Sequence, residues 1–285
     1  MDSARGGEGI VSRRGVLVLA GILLLQSVVV ARVFTPRPHD GGDNAGYVIL
    51  AHSILERGAY LDLWNPEEPP HTKYPPVFAL LLAGAIALGA KGWAALKLVP
   101  AFSMVLTTAF AFLWAQERRG LAFGVGVALL VGLSESVIYY SQWVLSDPTF
   151  LAFTMAALWA FQRIHHAAGP EEKQHGGKRW LGLAMVLVVL AFFTRSAGLP
   201  LVVAALLWLG VERRWVALAV LGALVGVPGL LWVIRGRGAG GDEYISEFWL
   251  LDPYRPELGT AGIGDLLARV VQNLEAYVTV ILPGG

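Results

Sequence analysis

The sequence predicts an all-α, polytopic membrane helix bundle, and three observations carry that prediction. Apolar side chains make up 55% of the 285 residues and charged ones only 15%, where a soluble domain carries about 25% charge. Mean hydropathy is +0.58. Several apolar runs approach the roughly 20 residues that a helix needs to cross a bilayer core of about 30 Å. The 22 basic and 21 acidic residues leave a net charge of +1, so no global field favours nucleic acid. The absence of cysteine excludes disulfide frameworks, thiolate nucleophiles and cysteine-ligated zinc or iron-sulfur sites.

The first span, 15–31, follows Ser12, Arg13 and Arg14 and ends without an A-x-A-like cleavage site. It reads as an uncleaved signal anchor running outward from a cytoplasmic segment 1–14. An outer loop, 34–93, comes next. Within it Asp43 stands where an N-cap belongs, Tyr47, Leu50, Ala51, Ile54 and Leu55 repeat at helical spacing, and Gly58 stops the pattern. This is an amphipathic helix lying in the membrane surface. Its N-terminus, with Asp40 and Asp43, faces the end of a short helix that Pro75 and Pro76 begin. Lys73 sits immediately before that second helix, where a cation beside free backbone N–H groups makes an anion site.

The segment 74–89 is apolar but short, and positive charge decides its path. If it crosses, only the N-terminal arginines lie inside, and the clusters Arg118/Arg119, Lys173/Lys178/Arg179 and Arg213/Arg214 fall outside. If it is a half-helix held on the outer face, all four clusters are cytoplasmic, so the half-helix is expected. The spans 98–116, 120–134 with a continuation to 140, and 148–162 follow. The run 180–210 is too long for one perpendicular helix and holds Arg195, costly at mid-membrane. It is expected to be a hairpin turning at 194–198. A last span, 215–234, closes a core 15–234 of seven spans, with 165–179 a solvated cytoplasmic loop and 235–265 an outer loop. The stretch 270–282, within 266–285, reads as the start of a further, incomplete membrane element.

The outer segments hold a recognisable order of motifs: D-x-x-x-Y at Asp43 to Tyr47, G-x-Y at Gly58 to Tyr60, K-x-P-P at Lys73 to Pro76, an acidic position at Asp147 within 134–163, and T-R-x-x-G-L from Thr194. This order resembles the membrane glycosyltransferases of the GT-C fold, and among them is most similar to the family 39 group of protein O-mannosyltransferases and aminoarabinose transferases. Members of that family are usually longer, so the chain reads as a fragment or a shortened member. The resemblance implies inverting transfer of a sugar from a polyprenyl-phosphate donor to a lipid, glycan or protein acceptor, on the outer face of a bacterial-type inner membrane. In that scheme Lys73 and Arg195 stabilise the departing phosphate. Asp43 is the general base, and Asp147 orients the acceptor or helps hold a divalent cation, whose involvement is left open. Tyr47, Tyr74 and Asp40 complete the candidate substrate-binding set.

Plainer readings stand beside these. Asp43 and Asp147 both occupy N-cap positions, and a capping bond on Asp43 would weaken it as a base. Asp40, beside the flexible Gly41 and Gly42, is then an alternative base. Lys73 reads equally as a snorkelling lysine, Arg195 as a headgroup contact, and Tyr47 and Tyr74 as interfacial packing. His39, His52 and His71 share the outer loop, but their spacing matches no ligand pattern. His165, His166 and His175 fall on the cytoplasmic side, Glu135 stands near the outer end of a span, and nothing in the spacing of Asp242, Glu243 and Asp252 marks them as a site. The competing class is a non-catalytic lipid-phosphate-binding or transport protein. A transporter places ionisable groups near the bilayer midplane and shows paired repeats, whereas these candidates sit at span ends and no repeat is visible.

Overall fold

The computed structural model describes residues 12–166, 170–236 and 243–281, and among them every regular element is helical apart from two isolated bridges, Leu61 with Pro70 and Leu250 with Thr260. Helix α1, Arg13–Val33, opens on Ser12, whose hydroxyl accepts from the Gly15 backbone N–H. Helices α2 (Asn44–Arg57) and α3 (Pro76–Ala87) lie in the following loop and pack on each other. At about 1.5 Å per residue the 12 residues of α3 span only about 18 Å, so the expected short helix is present. Leu50 and Ala51 of α2 and Phe78, Ala79 and Leu82 of α3 are fully buried, and Gly58 ends α2 in the left-handed conformation at φ 63°. Of the expected apolar face, only Leu55 is exposed.

A short turn, α4 (Gly92–Leu96), leads into α5 (Leu98–Arg119), which packs against α6 (Leu121–Gly132) and α8 (Asp147–His166). The expected span 120–140 is not continuous. Helix α6 ends at Gly132, and a new six-residue helix, α7 (Glu135–Tyr140), starts where the Ser134 hydroxyl accepts the Val137 N–H. A cap of that kind satisfies a donor that a continuing helix would have used, so the serine restarts the helix. Glu135 is thereby an exposed first-turn residue.

Helix α9 runs from Pro170 to Thr194, so the expected solvated loop 165–179 is mostly helical backbone. The side chains of His165, His166 and His175 lie outside the described residues. The 180–210 hairpin is present: Arg195 is extended, a single 3-10 turn covers Ser196–Gly198, and α10 (Leu199–Val211) packs back on α9. Gly198 permits that return. A Cβ there would stand 2.8 Å from the Phe192 Cα and 2.9 Å from its backbone nitrogen. Helix α11 (Trp215–Gly236) follows, then α12 (Glu243–Phe248) and α13 (Ile263–Ala276). Helix α13 begins earlier than the expected membrane element and buries none of its residues.

Among the described residues four helical stretches are long and apolar enough to cross a membrane, Arg13–Val33, Gly92–Arg119, Gly177–Thr194 and Trp215–Gly236, beside the shorter Pro76–Ala87, Leu121–Gly132 and Ser196–Val211. That is fewer than the seven expected spans. Helix α8 has the length, 20 residues, but Asp147 at its start and Gln162 and Arg163 near its end shorten its apolar part. It sits centrally between α5 and α9.

The core has three parts: α2 with α3 and Val144, α8 with α9, α10 and Leu221 of α11, and α1 with α5 and α6. Lys97 joins the first to the end of α1. It is fully buried and donates to the carbonyls of Thr35 at 2.7 Å and Arg37 at 2.5 Å.

Candidate active site

The loop between α2 and α3 is held by buried hydrogen bonds that nothing in the sequence pattern announced. His71 is 2% exposed. Its Nδ1 lies 2.6 Å from Asp62 Oδ1, and its Nε2 accepts the Tyr74 backbone N–H at 2.7 Å. The two bonds together require the neutral ring with its proton on Nδ1. Burial pushes the His71 pKa below its ordinary value, against the pull of Asp62. Burial also pushes the Tyr60 hydroxyl well up, keeping it a donor to the Tyr74 carbonyl at 3.1 Å. From α11, Trp232 donates to the Thr72 carbonyl at 3.2 Å, and Arg235 to the carbonyls of His71 and Tyr60. Five residues, Tyr60, Asp62, His71, Trp232 and Arg235, thus fix the backbone that presents Lys73 and Tyr74.

Asp43 occupies the N-cap position of α2, yet its side chain makes no capping bond. Its Oδ1 instead accepts the Tyr74 hydroxyl at 2.7 Å. The side-chain capping bond anticipated for Asp43 is therefore absent, and the carboxylate is held by a tyrosine of the neighbouring loop instead. The polar work at this corner falls to Asn44, whose side chain donates to the Gly41 carbonyl at 2.8 Å and accepts the Val144 N–H at 2.9 Å. That second bond ties the start of α2 to the link before α8. Gly46 leaves room for the Tyr74 ring, since a Cβ there would stand 3.3 Å from its Cε2.

Tyr47 is buried within the protein, at odds with a plain interfacial role. Its ring lies 4.8 Å from that of Tyr74, and its hydroxyl is 2.8 Å from Ser146 Oγ. Asp147 is the first residue of α8 itself, so it is not the N-cap that the sequence suggested. Its carboxylate pairs with Arg195 at 2.6 Å, and the same Arg195 nitrogen lies 3.4 Å from Ser146 Oγ. A continuous line of contacts therefore runs from Asp43 through Tyr74, Tyr47 and Ser146 to Arg195 and Asp147. The arginine comes from the α9–α10 turn, distant in sequence.

An open cleft of about 400 Å³ is lined by Gly42, Asp43, Ala45, Gly46, Ile49, Trp64, His71, Lys73 and Tyr74. Lys73 donates to Glu247 of α12 at 2.5 Å, a partner that no spacing rule could have named. Asp40 is exposed and is not among the lining residues.

The three outer-loop histidines have separate surroundings. His39 stacks on Trp143 at 4.4 Å, His52 pairs with Glu56 on the surface, and both nitrogens of His71 are engaged. Among the described residues no group of three or more His, Asp or Glu side chains is arranged to hold a metal ion. Asp252 caps its own turn, accepting from the Tyr254 N–H and from Arg255, which hold its carboxyl below the usual carboxylate range. Asp242 and the side chain of Glu243 lie outside the described residues.

Comparison with known proteins identifies the fold around this cleft. A family model described as dolichyl-phosphate-mannose-protein mannosyltransferase matches residues 73–234, more than half of the chain. The chain belongs to the dolichyl-phosphate-mannose-protein mannosyltransferase family. The matched stretch contains Lys73, Tyr74, Asp147 and Arg195, while Asp40, Asp43 and Tyr47 precede it. Among solved structures, the S. cerevisiae protein O-mannosyltransferase Pmt1-Pmt2 complex bound to the sugar donor is similar in fold, with a TM-score of 0.56 and 16% identity over 79% of this chain. The all-helical architecture expected from hydropathy, and the GT-C character expected from the motifs, are thus those of this family. The chain spans 33% of the length of that yeast chain. No curated protein matches at the sequence level.

Proposed function

We propose that this protein is a membrane glycosyltransferase that moves a sugar, mannose by the family's description, from a polyprenyl-phosphate donor to an acceptor hydroxyl on the outer face of a bacterial-type inner membrane, with the N-terminus cytoplasmic. The observation that carries the reading is the cleft in which Asp43, uncapped and oriented by Tyr74, shares its walls with Lys73. The acceptor oxygen attacks the sugar C1 as the bond from C1 to the phosphate oxygen breaks, inverting that centre. The hydroxyl proton goes to the Asp43 carboxylate, and the polyprenyl phosphate departs with the electron pair.

A phosphate leaving as an anion needs cations more than a general acid. Lys73 supplies a mobile point charge at the cleft and Arg195 a planar fork suited to phosphate oxygens. Asp147 holds that fork in place through its 2.6 Å pair, and in this reading its carboxylate also orients the acceptor. Tyr47 and Tyr74 form the aromatic wall between the two acids. Asp40, outside the cleft lining, takes no part in the proton transfer.

The test is turnover of labelled polyprenyl-phosphate sugars by membranes carrying the chain at matched expression. Asp43→Asn is expected to lower turnover by about 10²- to 10⁴-fold, the usual worth of a general base. Lys73→Ala is expected to weaken use of the donor. Wild-type turnover retained in Asp43→Asn would overturn the assignment of the base.

A further inference from the structure

We infer that His71 is a positioning residue of this site: through the Tyr74 backbone it fixes the hydrogen bond that aims Asp43, and it does so only as the neutral ring protonated on Nδ1. The inference rests on the reading of Asp43 as base. Its chain of contacts is short. Asp62 accepts from Nδ1 at 2.6 Å, Nε2 accepts from the Tyr74 N–H at 2.7 Å, and the Tyr74 hydroxyl donates to Asp43 at 2.7 Å.

A second proton on His71 would convert Nε2 from acceptor to donor. It would then face the Tyr74 N–H, with two donors in contact and no acceptor between them. The ring cannot turn to relieve this, because it is 2% exposed and enclosed by Tyr60 at 5.4 Å, Trp64 at 5.8 Å and Tyr74 at 5.0 Å between ring centroids. Relief has to come from the backbone at Tyr74, and the hydroxyl that holds Asp43 moves with it. Protonation of a buried ring whose two nitrogens are both engaged within the protein therefore disperses the base and its orienting tyrosine.

The charges facing the imidazole set where this happens. Asp62, in the same loop, favours the proton, whereas Lys73, on the same segment, and Arg235, reaching in from α11, oppose it. Burial is the largest influence and acts in the same direction as the two cations. The site is therefore held in its aligned state at neutral pH and given up on acidification.

Two variants separate this role from a merely structural one. His71→Gln offers an acceptor that does not titrate, and Asp62→Asn removes the charge that favours the imidazolium. Wild-type chain in membranes is expected to lose kcat/KM on acidification with one more proton in the limb than His71→Gln, about a further tenfold per pH unit once His71 titrates. Asp62→Asn is expected to shift the limb to lower pH. ¹⁵N NMR of the solubilised full chain should report the Nδ1–H tautomer for His71 at neutral pH.

An Nε2–H tautomer would overturn the inference, as would an acid limb in His71→Gln superimposable on wild type beside an inactive Asp43→Asn. Turnover retained by Asp43→Asn would instead overturn the base reading itself. Should His71→Gln fail to accumulate, Asp62→Asn carries the test, and an unmoved acid limb in that variant overturns the inference.

Discussion

Glu247 is the residue whose removal should strengthen the site. Its carboxylate lies 2.5 Å from Lys73 Nζ, with the two side chains 31% and 26% exposed. A phosphate approaching Lys73 must displace or share that partner. Exposed ion pairs are worth about 0.2–1 kcal/mol, and a pair with roughly three-quarters of both side chains covered sits at the top of that range. Glu247→Gln removes this negative charge from beside Lys73, leaves the lysine in place and relieves about 1 kcal/mol, which is about fivefold in affinity. The assay is equilibrium binding of a fluorescent polyprenyl phosphate to the chain in lipid nanodiscs, at low and high salt. Affinity should rise about fivefold in the variant at low salt, and the gap should narrow as salt screens the charges. Weaker or unchanged binding in Glu247→Gln would refute the reasoning, because Glu247 would then contact the donor itself or stand apart from the anion's path.

Three further outcomes follow from the geometry. Gly198→Ala forces a Cβ to within 2.8 Å of the Phe192 backbone, so thermal unfolding in detergent should show a loss of about 1–3 kcal/mol. Arg195→Lys keeps the charge but loses the fork that meets Asp147; kcat/KM should fall about tenfold or more, while stability changes by less than about 1 kcal/mol because the pair is half-exposed. For pH, the folded pKa of His71 lies below its ordinary value, so the unfolded chain takes the proton first. Stability should accordingly fall as pH drops below about 6.5 and level off once the folded state also protonates, a decline that thermal melts of His71→Gln should show in reduced form.

The positions of α1, α2, α3, α5 and the α9–α10 hairpin were legible in the sequence, because each is governed by local rules: apolar length, helical periodicity, and the glycine and proline punctuation at Gly58, Pro75 and Gly198. Reading failed where short-range competition decided the outcome. Ser134 broke an apolar run by capping a new helix, and the polar stretch from Pro170 was helical despite its solvated composition. Among the candidate site residues, Asp43, Tyr47, Lys73, Tyr74, Asp147 and Arg195 are marked by the motif order that resembles the family, not by spacing alone. Asp40 was named as well and lies outside the cleft.

Sequence by itself determined that this is a helical membrane protein of the GT-C kind with its acids and cations at helix ends, since hydrophobic length and motif order are properties of neighbouring residues. Tertiary structure decided what those residues do to each other. It gave Asp43 to Tyr74 rather than to its own helix, set Ser146 between Tyr47 and Arg195, and brought Glu247 to Lys73 across 174 positions of chain. It also buried His71 between Asp62 and the Tyr74 backbone. Hydrogen bonds and ion pairs act over about 3 Å in space, so such partners become known only once packing has placed them.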